Sequence, residues 1–273
     1  CEYLDADGKP LQASPQNVLT RAEDKLLSSS GVVLKALAEL EFYVISQPEG
    51  EPLFPAAPDK NYHESVPFTR FEDLRNEILV TLSAMGFATK YGHSEVGRML
   101  GRNGEFMEQQ EIELSAQNLA AMAESVAIAK WVIRNVCAKH GVSVSFAPKM
   151  TAEHVGNGMH IHLCALKKSR NIVADPNGAL STEARKIIGG ILKFASSLSA
   201  FANPTPVSYL RFIARKESPM HVCWSVRNRL ALIRIPLWRS VEKAGRAVDG
   251  CEQTFEYRAP DAFANPYLLL AGL

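Results

Sequence analysis

Two short segments place carboxylates and imidazoles at the spacing of a β-strand. In AELEFYVI, Glu39 and Glu41 are two residues apart, so both would point to one face of a strand with their Cα atoms roughly 7 Å apart. In GNGMHIH, His160 and His162 would share a face in the same way, directly after a turn that contains two glycines. Neighbouring carboxylates repel each other, and a bound cation removes that cost. The alternative for either pair is an ordinary polar strand face.

A second group of carboxylates follows in the segment GHSEVGRMLGRNGEFMEQQEIEL. Glu95 stands among small and polar residues, while Glu111 and Glu113 would share one face of a strand, with Glu108 close by. Oxygen ligands joined by an imidazole suit Mg²⁺ or Mn²⁺ better than zinc. Taken alone, this segment is more typical of a charged hairpin on the protein surface.

Several arginines in the later part of the chain are candidates for binding anions: Arg211, Arg229, Arg234 and Arg258. Guanidinium groups bind carboxylates and phosphates through paired hydrogen bonds and neutralise charge that develops in phosphoryl transfer. An unbroken strand would send Arg229 and Arg234 to opposite faces, so both reach one ligand only if the strand bends or ends between them. Together with Glu217 and Glu256, these residues favour ATP-dependent group transfer, with a metal-bound polyphosphate beside a carboxylate substrate.

The composition is that of a globular protein without a strong electrostatic surface. The 273 residues are 47% hydrophobic and 22% charged, and the net charge is +1. This balance argues against nucleic acid or an anionic membrane as the main partner. The five cysteines form no C-x-x-C pair, which favours reduced thiols and a cytoplasmic location.

The elements that would position the polar residues alternate irregularly along the chain. Strands are predicted at 32–46, 142–146, 159–165, 230–236 and 253–258, helices at 71–85, 114–139 and 181–201, and a loop at 47–59. Because helices and strands do not alternate strictly, an α+β fold is favoured over a doubly wound one.

In their order along the chain, the motifs resemble those of the glutamine synthetase catalytic domain. The similar segments are ELEF, GHSEV, QEIE, FAPKM, GNGMHIH, NPTPVSYLR, RNRLALIRIP and FEYRAPDAFANPYL. The resemblance covers nearly all of residues 1–273 and implies one catalytic domain, with a curved antiparallel sheet as the floor of a funnel and helices behind it. It also implies two or three Mg²⁺ or Mn²⁺ ions, ATP as substrate, and formation of glutamine from glutamate and ammonia through a γ-glutamyl phosphate.

The resemblance assigns the metal ligands residue by residue. Glu41, Glu95 and Glu111 are similar to the ligands of the ion that anchors the carboxylate substrate. Glu39, His160 and Glu256 are similar to the ligands of the ion that binds the ATP phosphates.

The remaining assignments concern substrates and catalysis. His162 would contact the nucleotide, while Arg229 and Arg234 would bind it and stabilise the transferring phosphoryl group. Arg211 and Arg258 would hold the glutamate carboxylates, and Gly156 would contact the substrate through its backbone. Glu217 is similar to the flap glutamate that closes the site and accepts a proton.

The sequence departs from the family pattern at several places. Val155 stands where the family usually has an Asn that helps to bind the amino-acid substrate, and the stretch between Glu95 and Glu111 is long enough to leave Glu108 and Glu113 as rival ligands. The segment between residues 236 and 256 lacks a clear match to a basic nucleotide-binding motif. The family's small N-terminal β-grasp domain and C-terminal end are missing, so the natural protein is expected to be longer.

Three functions are therefore weighed. The favoured one is a glutamate–ammonia ligase that assembles, like the family, as stacked homo-oligomeric rings (a dodecamer or decamer). The second is a γ-glutamyl ligase acting on a larger amine, which Val155 favours. The third is a catalytically silent paralogue, against which the retention of the acidic positions, the phosphate arginines and Glu217 argues.

Overall fold

A single mixed sheet organises the chain in this computed structural model, which describes residues 3–48, 57–175, 177–213, 217–237, 251 and 253–273. Its main path runs in the order β2-β3-β1-β5-β9-β8-β7, with β4 paired to β1 and β6 paired to β5. The strands are β1 (Val32–Ser46), β2 (Thr89–Leu100), β3 (Phe106–Asn118), β4 (Ser143–Ser145), β5 (Met159–Lys167), β6 (Arg170–Asn171), β7 (His221–Val226), β8 (Ala231–Ile235) and β9 (Phe255–Tyr257). All pairs are antiparallel except β7 with β8, so the predicted α+β fold on an open, largely antiparallel sheet is confirmed.

Helices lie against the apolar face of the sheet. They are α1 (Pro15–Ser30), α2 (Glu72–Ala84), α3 (Leu119–Lys139), α4 (Thr182–Lys193), α5 (Ala195–Ala202), α6 (Pro206–Ile213) and α7 (Pro266–Gly272). Within the described ranges, no helix is both long enough and apolar enough to cross a membrane.

The long central strand β1 separates the core from the polar face. Leu40 and Phe42 are completely buried in the main hydrophobic core, as their alternation with the glutamates predicts. Glu39 and Glu41 lie on the other face, which leaves them free to line a cavity. The hydrophobic pattern of one strand thus fixes which face carries the chemistry.

Local signals explain several helix ends. Ser14 caps α1 by accepting a hydrogen bond from the Asn17 backbone N–H, and Gly31 ends that helix in the left-handed conformation with φ of 69°. Asn265 caps α7 by accepting from the backbone of Tyr267 and Leu268.

Two predicted helix boundaries are wrong. The helix expected from residue 114 begins at Leu119, because β3 stays paired with β1 as far as the Lys35–Asn118 pair and tertiary pairing overrides helical propensity. The helix expected over 181–201 is divided at Phe194 into α4 and α5. The predicted loop at 47–59 lies partly outside the described residues, as does most of the segment between residues 236 and 256.

Candidate active site

A polar cavity of about 120 Å³ opens on the face of the sheet opposite the core. Most of the residues predicted to form the site line it; the exceptions are Gly156, His162, Arg211 and Glu256. The lining consists of Glu39, Glu41, Tyr62, Tyr91, His93, Glu95, Glu111, His160, Glu217, Arg229, Arg234 and Arg258.

The register of three adjacent strands brings the central carboxylates together. Glu41 on β1 lies directly opposite Glu111 on β3, and Glu39 lies opposite both Glu113 on β3 and His160 on β5. Directly paired residues of neighbouring strands share a face with Cβ atoms about 5 Å apart. Residues distant in sequence therefore converge because of strand pairing.

We define the acidic cluster as Glu41, Glu95 and Glu111, together with His93. His93 Nε2 lies 3.1 Å from Glu111 Oε1, and its Nδ1 lies 3.6 Å from Glu95 Oε2. Burial, followed by repulsion from Glu41 and Glu111, raises the pKa of Glu95 well above its usual value. Burial, followed by repulsion from Glu39 and Glu41, does the same to the pKa of Glu111. Negative charge in this cluster is therefore poorly compensated by the protein itself.

We define the paired cluster as Glu39, Glu256, His160 and His162. Glu39 lies 3.0 Å from His160 Nδ1 and 2.9 Å from His162 Nε2. Although burial alone would raise the pKa of Glu39, the two histidines outweigh burial and hold it well below the usual value.

Glu256 in the paired cluster is held by two arginines. It is completely buried, forms a 2.5 Å ion pair with Arg234, and forms another with Arg258. Burial opposes ionisation, but Arg258 and the nearby His162 keep the pKa of Glu256 below its usual value. Here the protein supplies its own positive charge.

The donor atoms fit a hard divalent cation. Within each of three groups, ligand atoms lie within 4.8 Å of one another; the groups are Glu39, His160 and Glu256; Glu41, Glu111 and His160; and His93, Glu95 and Glu111. The first group coincides with one predicted ligand set. Members of the other predicted set, Glu41, Glu95 and Glu111, are distributed over the last two groups, which share Glu111. Carboxylate oxygens with one imidazole are a suitable donor set for Mg²⁺ or Mn²⁺.

The rival glutamates are engaged elsewhere. Glu108 is completely buried and accepts hydrogen bonds from Thr69, from Arg98 at 3.1 Å and from Gln110 at 2.8 Å. It therefore fixes the loop before α2 to the β2–β3 hairpin. The additional length between the two candidate ligands is taken up by the turn of this hairpin, at residues 101–105.

Glu113 is the other rival ligand. Its Oε1 forms a 2.7 Å ion pair with Lys90, and the Glu113 side chain is only 3% exposed. It does not line the cavity.

The two phosphate-binding candidates meet although they are five residues apart. Strand β8 begins at Ala231, so Arg229 precedes the strand and Arg234 lies within it. Both side chains line the cavity, as expected if the strand ends between them. Arg229 forms a 2.9 Å ion pair with Glu217 and donates to the Tyr62 hydroxyl at 3.1 Å.

Arg211 and Arg258 differ in how their guanidinium groups are used. Arg211 is 2% exposed and donates to the backbone carbonyls of Arg258, Ala259 and Pro260 at 3.0, 2.8 and 3.1 Å. Its side chain supports the chain beneath the cavity and does not line it. Arg258 does line the cavity, while donating to Glu256.

The glycine turn before β5 is hydrogen-bonded to Glu41 of the acidic cluster and to the neighbouring Gln109. The Gly158 N–H donates to Glu41 Oε2 at 2.7 Å, and the Gly156 carbonyl accepts from Gln109 Nε2 at 3.0 Å. A Cβ at Gly156 would collide with the Pro148 carbonyl, so the close approach requires glycine.

Val155 directs its side chain away from the cavity. It is 3% exposed and packs in a small apolar cluster with Tyr43 and Met99, and its carbonyl accepts from the Tyr43 hydroxyl at 3.0 Å. An amide side chain at this position would meet apolar neighbours.

Sequence reasoning missed several lining and supporting residues. His93 stands two residues before Glu95 on one strand, so the same period-two spacing that identified the other pairs would have revealed it. Tyr62 comes from an irregular loop and carries no such signal. Gln109 donates to both Glu41 and Asn157, a role that only the folded register reveals.

Comparison with known proteins places the chain beside one family. The family profile described as "Glutamine synthetase, catalytic domain" matches residues 12–273. The glutamine synthetase of Thermotoga maritima is 33% identical over 276 residues, covering 100% of this chain and 58% of that protein. The glutamine synthetase of Thermus thermophilus is 34% identical over 274 residues, covering 99% of this chain and 57% of that protein.

A solved structure shows the same fold. The cryo-EM structure of Plasmodium falciparum glutamine synthetase matches with a TM-score of 0.83 at 22% identity, covering 100% of this chain and 56% of that chain. The chain thus spans a little more than half the length of these similar proteins.

Proposed function

This chain belongs to the glutamine synthetase catalytic-domain family, and from that membership we propose that it makes glutamine from glutamate, ammonia and ATP through a γ-glutamyl phosphate. The observation that carries the proposal is the convergence, in one cavity, of the acidic cluster, in which the pKa values of Glu95 and Glu111 are raised, with Arg229 and Arg234. A carboxylate–amine ligase needs both, because it must bind a cation with its polyphosphate and then neutralise the transferred phosphoryl group.

Divalent ions would be held by the two clusters. By resemblance to the family, Glu41, Glu95 and Glu111 would hold one ion. Glu39, His160 and Glu256, whose ligand atoms lie within 4.8 Å of one another, would hold the other. Bound there, Mg²⁺ or Mn²⁺ supplies Lewis acidity to phosphate and carboxylate oxygens. The candidate nucleotide contact His162 lies behind Glu39 and hydrogen-bonds to Thr254 at 3.1 Å, so in this arrangement it also orients Glu39.

Arg229 and Arg234 would stabilise the phosphoryl group during transfer. Their guanidinium groups approach one cavity from a loop and from a strand, which lets them contact different oxygens of one phosphate. The ion pair of Arg234 with Glu256 fixes that guanidinium before substrate arrives, which lowers the reorganisation needed in the transition state.

Glu217 would act at the entrance. Its side chain is 41% exposed and paired with Arg229, so an incoming phosphate that attracts Arg229 would release this carboxylate. The free carboxylate is then able to accept a proton from the attacking nitrogen.

Arg258 and the Gly156 backbone would position the glutamate substrate. Arg258 reaches the cavity, whereas Arg211 would contribute by holding the Arg258–Pro260 backbone in place. Binding of the glutamate substrate would therefore depend on fewer direct side-chain contacts than the family pattern implies.

Val155 favours a second candidate function, γ-glutamyl ligation to a larger amine. The side chain at this position lies in an apolar cluster, so the amide contact to the amino-acid substrate that is usual in the family is missing. A changed substrate is the simplest consequence of a changed contact.

The whole-protein features are part of the same proposal. The chain would act as a single catalytic domain within a longer cytoplasmic protein and assemble in stacked rings. The similar proteins' greater length supports the first point, since the chain covers 58% of the Thermotoga maritima protein.

Phosphate release tests the proposal. The protein is supplied with ATP and Mg²⁺, and glutamate and ammonium are added separately and together. Release that requires both supports the glutamine-forming ligase, while release with glutamate that rises only with a larger amine supports the second candidate. Bound nucleotide without release under any pairing would contradict both and indicate a silent paralogue.

A further inference from the structure

Tyr62 lines the candidate active-site cavity from a loop, beside one of the two arginines proposed to stabilise the transferring phosphoryl group. Its hydroxyl accepts a hydrogen bond from Arg229 at 3.1 Å, and the guanidinium carbon of Arg229 lies over the Tyr62 ring, 5.2 Å from its centroid. A phenol oxygen attracts a guanidinium through its lone pair, and an aromatic ring attracts it through the negative charge of its face. Tyr62 therefore holds Arg229 by two contacts.

The loop that carries Tyr62 is fastened to the outer edge of β2. The Asn61 N–H donates to the Val96 carbonyl at 3.2 Å, and the His63 N–H donates to the Ser94 carbonyl at 2.9 Å. Because the residues on both sides of Tyr62 are bound to a strand, its backbone position is defined before any ligand arrives.

Two imidazoles fix the direction of the Tyr62 ring. His63 and His93 meet it edge to face, with ring centroids 4.6 and 5.5 Å away. Edge-to-face contacts are a favoured geometry between aromatic rings. His93 lies 3.1 Å from Glu111, so the Tyr62 ring is supported by the acidic cluster on one side and contacts Arg229 on the other.

The two phosphate-binding arginines are anchored differently. Arg234 lies within β8 and pairs at 2.5 Å with the completely buried Glu256. Arg229 precedes that strand, and the side chain of its ion-pair partner Glu217 is 41% exposed. When Glu217 moves away to accept a proton, the contacts between Arg229 and Tyr62 remain.

We propose that Tyr62 is a positioning residue that keeps the Arg229 guanidinium directed at the transferring phosphoryl group after Glu217 is released. The inference rests on the proposed ligase function. An arginine without this support would lose side-chain conformational freedom when it binds phosphate, whereas a donor that is already oriented requires little reorganisation in the transition state. Tyr62 should therefore matter for phosphoryl transfer and not for folding.

Tyr62→Phe removes the hydroxyl and keeps the ring. In the phosphate-release assay kcat should fall about five- to twentyfold, while the KM for ATP stays within about threefold, because Arg229 acts mainly in the transition state. Since Tyr62 is 44% exposed, the melting temperature should shift by less than about 2 °C. An unchanged kcat, or a large loss of stability, would overturn the proposal.

Tyr209→Phe is the matched control for this substitution. Tyr209 lies on α6, is 45% exposed, and its hydroxyl is hydrogen-bonded to Ser199 Oγ at 3.0 Å. The same chemical change at this position should alter neither kcat nor the melting temperature.

A double-mutant cycle with Arg229→Gln determines whether Tyr62 acts through the arginine. In the Arg229→Gln background, Tyr62→Phe should change kcat by less than about twofold, because no guanidinium remains to be positioned. If Tyr62→Phe caused its full loss in that background as well, Tyr62 would act on the substrate directly and the positioning role would be wrong.

A measurement without turnover separates this inference from the ligase function. In protein labelled with ¹⁵N-arginine, the Arg229 guanidinium signal is identified by its loss in Arg229→Gln. Without nucleotide or metal, its protons should exchange with solvent at least about threefold faster in Tyr62→Phe than in the parent protein. Unchanged exchange would overturn the positioning role whether or not the protein makes glutamine. Faster exchange in a protein that releases no phosphate would retain Tyr62 as the residue that holds Arg229 and would contradict the ligase function alone.

Discussion

The acidic cluster and the paired cluster are neighbours on one face of the sheet, where only Glu39 and His160 of the paired cluster line the cavity, and their carboxylates are stabilised in opposite ways. Burial and mutual repulsion raise the pKa values of Glu95 and Glu111. In the paired cluster, histidines and arginines overcome the same burial and lower the pKa values of Glu39 and Glu256. The backbone places both sets by the same strand pairing, so the difference arises from the side chains around each carboxylate.

This contrast indicates different needs for a cation. The paired cluster is electrostatically satisfied by the chain and is preorganised before any substrate binds. The acidic cluster holds charge that no described arginine or lysine neutralises through an ion pair, so the binding of a divalent ion should relieve a cost already present in the fold.

The largest effect is expected from removing the charge at the centre of the paired cluster. Glu256→Gln keeps the side-chain shape but deprives Arg234 and Arg258 of their shared counter-ion, so phosphate release should fall about 10²- to 10³-fold. Glutamine is preferred to alanine because its amide oxygen can still accept a hydrogen bond from Arg258, which is only 3% exposed; alanine would leave this buried charge with no partner, at a cost of about 3–5 kcal/mol.

Glu77→Gln serves as the control for this substitution. Glu77 lies on α2 and pairs with Lys139 and His140 at the surface, so its loss should leave turnover unchanged. If Glu256→Gln retained most of the activity with a normal melting temperature, the role of the paired cluster in phosphate binding would be wrong.

Charge removal in the two clusters should have opposite effects on stability. Glu111→Gln relieves repulsion, so the metal-free protein should melt at a higher temperature at pH 8, while Mn²⁺ binding weakens at least about tenfold. Glu39→Gln removes the partner of two histidines and should lower the melting temperature. Thermal unfolding with EDTA and with Mn²⁺ measures both, and shifts of the same sign in the two variants would refute the contrast.

The dependence of stability on pH should reveal the same difference. The folded-state pKa values of Glu95 and Glu111 are raised above the ordinary value of 4.5, so the metal-free fold retains protons that the unfolded chain has lost. Its unfolding free energy should therefore fall as the pH rises from 4.5 through the raised values. Mn²⁺ should remove this slope, because a bound cation favours the ionised carboxylates.

Below that window the paired cluster dominates. The folded-state pKa values of Glu39 and Glu256 are lowered, so their contribution is present above 4.5 and is lost as the pH falls through the lowered values. Urea unfolding between pH 4 and pH 8 with EDTA measures the upper window, where a rising or flat unfolding free energy would contradict the assignment.

Strand periodicity made much of this cavity predictable. The alternation of Leu40 and Phe42 with glutamates identified both the core face and the polar face of β1, because a strand has only two sides. The positions of Glu95 and Glu111 near the centre followed from motif resemblance, since their local sequence is equally typical of a surface hairpin.

The sequence could not predict the register in which the strands pair, or which hydrogen-bond partners a polar side chain takes in the folded protein. The extension of β3 to residue 118 depends on its partner β1, and the loss of Arg211 from the cavity lining depends on carbonyls at residues 258–260. Both features depend on residues that are distant in the sequence, so the residues around position 118 or position 211 do not reveal them. Glu108 and Glu111 lie three residues apart on β3 but differ in the same way. Glu108 accepts hydrogen bonds from four residues, whereas Glu111 lines the cavity, and the pairing register of β3 determines this difference.

The smallest effect is expected at Glu113, which tests where the acidic cluster ends. Glu113 lies opposite Glu39 in the sheet, but Lys90 neutralises it at 2.7 Å and its side chain does not line the cavity. Glu113→Gln should therefore leave turnover and Mn²⁺ affinity within about threefold of the parent protein and cost at most about 1 kcal/mol of stability. Because Glu111→Gln makes the same chemical change two residues away on the same strand face, the two variants form a matched pair measured by Mn²⁺ titration. If Mn²⁺ affinity falls comparably in both variants, Glu113 is a metal ligand and belongs to the acidic cluster. If it falls only in Glu111→Gln, the metal site ends at Glu111, and Lys90 rather than a metal ion neutralises Glu113.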